Sequence, residues 1–305
     1  MHKLEKYFGI FPAFYACYEE DGSVSTEKAR ALTRYLVDSG VKGTYVGGSS
    51  GECIYQRPDE RKRLLEAVVD EAAGRLTIIA HVACNNTEDS MELAAHAESL
   101  GVDAIAAIPP IYFRLPEYAI AKYWNDISSA APNTDFVIYN IPQLAGTALT
   151  PSLFREMLKN PRVIGVKNSS MPTQDIQTFK AIGGEDCIVF NGPDEQLIAG
   201  RMIGARGAIG GTFGVMPRLY LKVDELFKTG NHEKAQEVQY VCNDIIAALC
   251  SGHGCMYAVI KGVLQKNGLD LGSVRAPMAE LNDEDQAVVD RCDDMIKAAM
   301  EKFCG

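Results

Sequence analysis

The 305-residue chain lacks most features that would place it in a special class. None of its nine cysteines belongs to a CxxC pair, which argues against a zinc or dithiol motif and fits buried thiols in a reducing compartment. Positive charge is in short supply: 30 Lys and Arg stand against 40 Asp and Glu, a net charge of -10, with no basic stripe. Nucleic acid is excluded as a partner, because binding it depends on Lys and Arg displacing counterions. No window reaches the roughly 18 unbroken apolar residues of a bilayer span, and Met1 to Tyr7 hold no apolar stretch of signal-peptide length. We therefore expect a cytoplasmic protein that does not engage a membrane. Low-complexity tracts and linkers rich in Pro, Gly and Ser are also missing. What remains is an ordinary globular composition, 47% hydrophobic and 23% charged.

What is present is a regular alternation. Apolar, β-branched runs at residues 9–14, 43–46, 76–82, 103–108, 135–139, 163–167, 187–190 and 207–209 are separated by amphipathic stretches, the signature of βα units around a parallel sheet. Pro58 is expected to open one helix and Gly74 to close it, and Thr87 stands before a helix that stops at Gly101. A chain of this length fits two domains or one α/β barrel of about 250 residues with extensions. Eight units of even size, and no GxGxxG turn after the first strand, favour a (β/α)8 TIM barrel over an open doubly wound sheet. We assign the barrel to residues 1–230. Residues 231–305 turn purely helical, with candidates at 232–249, 255–266 and 283–303, and are expected to form a C-terminal extension packed on the barrel.

In such barrels the chemistry lies at the carboxyl ends of the strands. Lys167 ends the apolar run Val163-Ile164-Gly165-Val166. An ammonium at the end of a buried strand is poorly solvated, which favours the free amine and its attack on a carbonyl; the other reading is a structural lysine paired with a carboxylate at the rim. Tyr139 ends Phe136-Val137-Ile138, where its phenol can exchange a proton with a ligand or be tied to backbone as part of the core. The turn Gly47-Gly48-Ser49-Ser50-Gly51-Glu52 offers two hydroxyls and several N–H groups to a carboxylate or phosphate, or is a tight turn without a ligand. Asp194 and Glu195 follow another glycine turn. They would repel an anion and accept hydrogen bonds from a neutral polyol, or merely occupy the first turn of a helix.

Taken in order, Gly47 to Glu52, Ala80-His81-Val82, Pro110-Ile111-Tyr112, Tyr139-Asn140-Ile141-Pro142, Gly165-Val166-Lys167, Asn191 to Glu195 and Gly207 to Gly210 resemble the pyruvate-dependent class I aldolases of the dihydrodipicolinate synthase and N-acetylneuraminate lyase superfamily. The resemblance runs through essentially the whole chain. It implies that Lys167 forms a Schiff base with pyruvate, that Tyr139 transfers protons, and that Ser49 and Ser50 bind the pyruvate carboxylate. Tyr112 would enter the neighbouring subunit's site in a relay, within a homotetramer. The dihydrodipicolinate synthases have an arginine five residues after this tyrosine, to clamp a second carboxylate; here the position is Leu144, which cannot do so. The segment instead resembles the YNIPxLSG stretch of the N-acetylneuraminate lyases, in which the counterparts of Gly192, Asp194 and Glu195 hold the sugar tail and a threonine stands where Ser169 falls. Two departures are visible: Gly211 stands where these lyases have a substrate-contacting serine, and Pro193 replaces an aromatic residue.

The activity this resemblance implies is reversible cleavage of N-acetylneuraminate, or a close 2-oxo sugar acid, to pyruvate and N-acetylmannosamine. It calls for no metal and no cofactor beyond the lysine imine, because the protonated imine does the polarising. Three other readings stay open: a pyruvate aldolase or dihydrodipicolinate synthase-like enzyme acting on a different 2-oxo acid, a barrel that binds sugar acids without turnover, and a barrel that uses the strand seven and eight glycines for phosphate.

Overall fold

The computed structural model describes residues 4–305. Strands β1 (Gly9–Pro12), β2 (Gly43–Val46), β3 (Thr77–His81), β4 (Ala104–Ala107), β5 (Asp135–Asn140), β6 (Val163–Asn168), β7 (Ile188–Asn191) and β8 (Gly207–Gly210) are hydrogen-bonded in the order β1-β8-β7-β6-β5-β4-β3-β2. The Lys42 amide, just ahead of β2, donates to the Ile10 carbonyl in β1 at 3.0 Å, which joins the two ends of this order. The fold is a TIM barrel. The strand ends lie within two residues of their expected positions. The largest difference is in β1, which stops at Pro12, although the Ala13 amide still donates to the Gly210 carbonyl of β8 at 2.9 Å.

Helices alternate with the strands: α1 (Thr26–Asp38), α2 (Pro58–Ala72), α3 (Thr87–Ser99), α4 (Glu117–Ser129), α5 (Pro142–Ala145), α6 (Pro151–Met157), α7 (Gln174–Gly183), α8 (Leu197–Ile203) and α9 (Pro217–Lys228), then α10 (His232–Leu249), α11 (Met256–Lys266) and α12 (Asp285–Cys304). Pro58 is the first residue of α2, as expected. Thr87, by contrast, lies inside α3. The cap is Asn86, whose side chain accepts from the Asp89 amide, because an Asx oxygen one position earlier reaches the unsatisfied N–H groups of the first turn.

The chain divides into two compact units. One comprises the residues up to Phe11, Lys42–Val46 and Thr77–Ile209; it holds the strands, except for the last residues of β1 and β8, and α3 to α8. Its core is made of strand side chains such as Ile79, Ile105, Phe136, Ile138, Val166 and Phe190, each contributing about 1.5–3 kcal/mol by leaving water. At the amino ends of β4 and β5, Tyr7 donates through one hydroxyl to the Asp103 carbonyl at 2.7 Å and to Asp135 Oδ2 at 2.8 Å. Burial and the neighbouring carboxylates raise the Tyr7 phenol well above the usual tyrosine range, so it stays a donor.

The second unit comprises Pro12–Val41, Gly47–Leu76 and Gly210–Gly305; it holds α1, α2 and α9 to α12 with the loops that follow β1, β2 and β8. Within it α10 buries Val238, Cys242, Ile245, Ile246 and Leu249, a stripe at helical spacing that packs against α9 and α12. Among the described residues no helix is long and apolar enough to cross a membrane.

Candidate active site

In the first unit, β5 and β6 pair in register with Tyr139 opposite Lys167 and Asn140 opposite Asn168. Side chains alternate along a strand, so register partners share a face, and Tyr139 and Lys167 emerge side by side. Both are buried. Lys167 Nζ lies 3.9 Å from the centroid of the Tyr139 ring and 4.1 Å from that of Tyr45 in β2. Tyr45 meets Tyr139 edge-on at 5.7 Å and 76°, and His81, at the end of β3, meets Tyr139 at 6.0 Å and 88°. Among the described residues no carboxylate pairs with Lys167. Two ring faces supply about 2 kcal/mol of attraction each when desolvated, against a burial penalty of several kcal/mol for an ammonium. The Lys167 amine is thus enclosed by two ring faces rather than by an ion-pair partner.

The residues after this pair carry a polar chain that the sequence reading did not identify. Asn140 Nδ2 donates to Asn168 Oδ1 at 2.7 Å, Asn168 Nδ2 to Ser170 Oγ at 2.9 Å, and Ser170 Oγ to Asp175 Oδ2 at 2.6 Å. Asn140 Oδ1 accepts from the Leu149 amide at 2.9 Å, and the Asn140 carbonyl accepts from the Ser169 amide at 2.7 Å. The two amides fix the carboxyl ends of β5 and β6 to each other directly beyond Tyr139 and Lys167. An asparagine following both candidate residues was the signal in the sequence.

Ser169 is half-buried against Gly192, where a Cβ would collide with Ser169 Oγ and the Asn168 carbonyl; the Gly192 amide donates to that carbonyl at 2.8 Å. Glycine at 192 is therefore required by close approach. Asp194 is buried and Glu195 exposed in the short helical turn after β7, where Asn191 Nδ2 donates to the Pro193 carbonyl at 2.7 Å. Two expected residues are not brought to this cluster. Leu144 is 63% exposed on α5, and Tyr112 is 90% exposed in the loop after β4. Tyr112 has a φ of +84°, a strained value for a bulky side chain, and its ring packs edge-on against Phe113 at 5.0 Å.

The second unit carries the turn after β2. The Gly51 amide donates to the Gly48 carbonyl and the Glu52 amide to the Ser49 carbonyl, both at 3.0 Å, while the amides of Ser49 and Ser50 meet no acceptor among the described residues. Unbonded N–H groups beside two hydroxyls are donors of the kind that an anion accepts from. Ser50 is buried, and its Oγ donates to the Tyr257 hydroxyl of α11 at 3.1 Å. Glu52, at φ +53°, is held in a left-handed conformation by Lys261 Nζ at 3.0 Å and by the Arg275 amide at 2.8 Å. Lys261 also donates to the Ser273 carbonyl at 2.7 Å. These attachments offset the roughly 1–2 kcal/mol that a left-handed non-glycine residue costs. Gly211 follows β8, and its carbonyl accepts from the Tyr15 hydroxyl at 2.8 Å.

The family model described as the dihydrodipicolinate synthetase family matches residues 6–297. The chain belongs to this family. Within the family, the chain is 64% identical over 304 residues to the N-acetylneuraminate lyase of Mediterraneibacter gnavus, covering 99% of this chain and 96% of that protein. Among solved structures, a catalytic lysine mutant of the Ruminococcus gnavus sialic acid aldolase matches with a TM-score of 0.99 at 64% identity, covering 99% of this chain and 100% of that one. The N-acetylneuraminate lyase of Fusobacterium nucleatum matches with a TM-score of 0.87 at 30% identity, covering 98% and 99%.

Proposed function

We propose that this family member is a carbon–carbon lyase, a class I aldolase that reversibly cleaves N-acetylneuraminate to pyruvate and N-acetylmannosamine. The observation that carries the reading is Lys167: a buried amine near the end of β6, between two tyrosine rings and without a carboxylate among the described residues, in a chain 64% identical to an N-acetylneuraminate lyase. The Ruminococcus gnavus aldolase has a catalytic lysine, and Lys167 is its counterpart in this reading.

The Lys167 amine adds to the C2 ketone of the open-chain sugar acid, and the Tyr139 O–H protonates the carbinolamine oxygen so that water leaves, giving an iminium and the Tyr139 phenolate. Tyr139 accepts the proton of the C4 hydroxyl as the C3–C4 bond breaks. The electron pair of that bond passes into the iminium, leaving an enamine of pyruvate and the aldehyde of N-acetylmannosamine. Protonation at C3 and hydrolysis return pyruvate and the free lysine. No added cofactor is needed for this sequence. Ser50 and the amides of its turn hold the carboxylate, Ser49 and a neighbouring subunit's copy of Tyr112 tune Tyr139, and Ser169, Gly192, Asp194 and Glu195 receive the polyhydroxyl tail. In this assignment Gly211 and Leu144 border the substrate without a polar contact of their own. The exposure of Tyr112 supports the view that it acts outside its own chain, as in a cytoplasmic homotetramer.

The test combines two measurements. Pyruvate with borohydride should leave a reduced three-carbon adduct on the Lys167 peptide by mass spectrometry, and N-acetylneuraminate should release pyruvate. Absence of the adduct overturns the Schiff-base reading; an adduct with turnover only of shorter oxo acids overturns the assigned substrate.

A further inference from the structure

We propose that Asn191 is a specificity-determining positioning residue: it sets the turn that carries Asp194 and Glu195, and through that turn the fit of the polyhydroxyl aldehyde half of the substrate, while leaving the pyruvate half alone. The proposal rests on the reading above, in which this turn receives the sugar tail. Asn191 ends β7 and is fully buried. It stands in register opposite Asn168, which stands opposite Asn140, so three neighbouring strands end on an asparagine, on the face turned away from Lys167. The three carboxamides do different things. Asn168 turns to Asn140 and Ser170, at the ends of the strands that carry Tyr139 and Lys167. Asn191 turns forward into its own loop.

The Pro193 carbonyl accepts from Asn191 Nδ2 at 2.7 Å and from the Gln196 amide at 3.1 Å. Because the Gln196 bond closes the turn Asp194–Gln196, the Asn191 carboxamide fixes the first peptide of the segment that bears both acidic residues. Gly200, in α8, supplies an independent observation. A Cβ built there would lie 2.2 Å from Asn191 Oδ1 and 2.7 Å from its Cγ, so glycine leaves room for the carboxamide at a place inside a helix where alanine is otherwise favoured. Asn191 Oδ1 has no hydrogen-bond partner among the described residues. A buried acceptor left this way costs stability, a cost that an apolar side chain would not incur. The favourable contribution of the carboxamide is thus confined to its nitrogen, and that nitrogen is bonded to the turn.

N-acetylmannosamine supplies the tail and pyruvate has none, so the two substrates of the synthetic direction separate the roles. Asn191→Ala should raise the KM for N-acetylmannosamine and for N-acetylneuraminate about tenfold, with the KM for pyruvate and the yield of the borohydride adduct little changed. Gly200→Ala alone should do the same by displacing the carboxamide. When Asn191→Ala is combined with Gly200→Ala, the new methyl group occupies the emptied space, so thermal stability should recover toward that of the native protein while the KM for N-acetylmannosamine stays raised. Equal rises for pyruvate and N-acetylmannosamine, or an N-acetylmannosamine KM that recovers together with stability, would show a merely structural role and overturn the proposal, as would an unchanged KM in both single variants. Failure of the native protein to form the borohydride adduct, or to use N-acetylmannosamine, overturns instead the reading on which the proposal rests.

Discussion

Lys167 and Lys261 are buried to the same degree, 4% and 3% exposed, yet their surroundings differ in kind. Lys261, in the second unit, has Glu52 at 3.0 Å, the Ser273 carbonyl at 2.7 Å and the Tyr18 ring at 5.0 Å. Its charge is matched by a carboxylate with its own further donor, as a buried ion pair must be to persist. Lys167, in the first unit, has two ring faces and, among the described residues, no counter-charge. The carboxylate partner weighed for Lys167 from the sequence is found instead on Lys261, and the proposed aldolase chemistry falls to the lysine that lacks one among the described residues.

Substitution should separate the two most sharply in activity. Lys167→Met is expected to lower aldol cleavage by about 10⁴-fold or more while leaving thermal stability intact or slightly raised, because an apolar chain replaces an uncompensated amine. Marked unfolding of this variant would break the comparison. Lys261→Met should do the reverse, costing about 3–5 kcal/mol in urea denaturation by stranding Glu52, with the remaining folded protein still forming the pyruvate adduct. Adding Glu52→Gln should restore part of that loss, and strict additivity of the two changes would show that the pair is uncoupled.

Smaller effects test what holds each lysine in place. Asn168→Leu removes both amide links beyond Lys167, leaving the side-chain amide of Asn140 without its acceptor. We expect a loss of about 1–3 kcal/mol in stability and a fall in kcat larger than any change in the KM for pyruvate. Near Lys261, a hydrogen bond from Arg275 holds the Glu60 carboxyl below the usual glutamate range. A depressed carboxyl stabilises the folded state above its unfolded pKa, and that contribution disappears as pH falls through the folded value. Acid titration of unfolding should therefore show a loss below the ordinary glutamate range that Arg275→Gln reduces. A variant with an unchanged acid limb would remove Glu60 from the account.

Local order made much of the fold legible. The βα alternation, the helix opening at Pro58 and the strand ends could be read because periodicity and capping act over a few residues; where Thr87 was read for Asn86, the error was a single position in one cap. Lys167 and Tyr139 were likewise found as the polar ends of apolar runs. The Asn140–Asn168 bond was half visible, as two asparagines in equivalent places, but needed the register of β5 and β6 to become a contact.

The number and order of the βα units, and the amine and phenol at the ends of two strands, are written along the chain, since these depend on neighbours one to four residues away. Which lysine is answered by a carboxylate emerges only on packing, because Glu52 reaches Lys261 across 209 positions and Ser50 reaches Tyr257 across 207. No local pattern encodes such pairs: desolvation, and the charge or hydroxyl that compensates it, exist only after distant segments have packed.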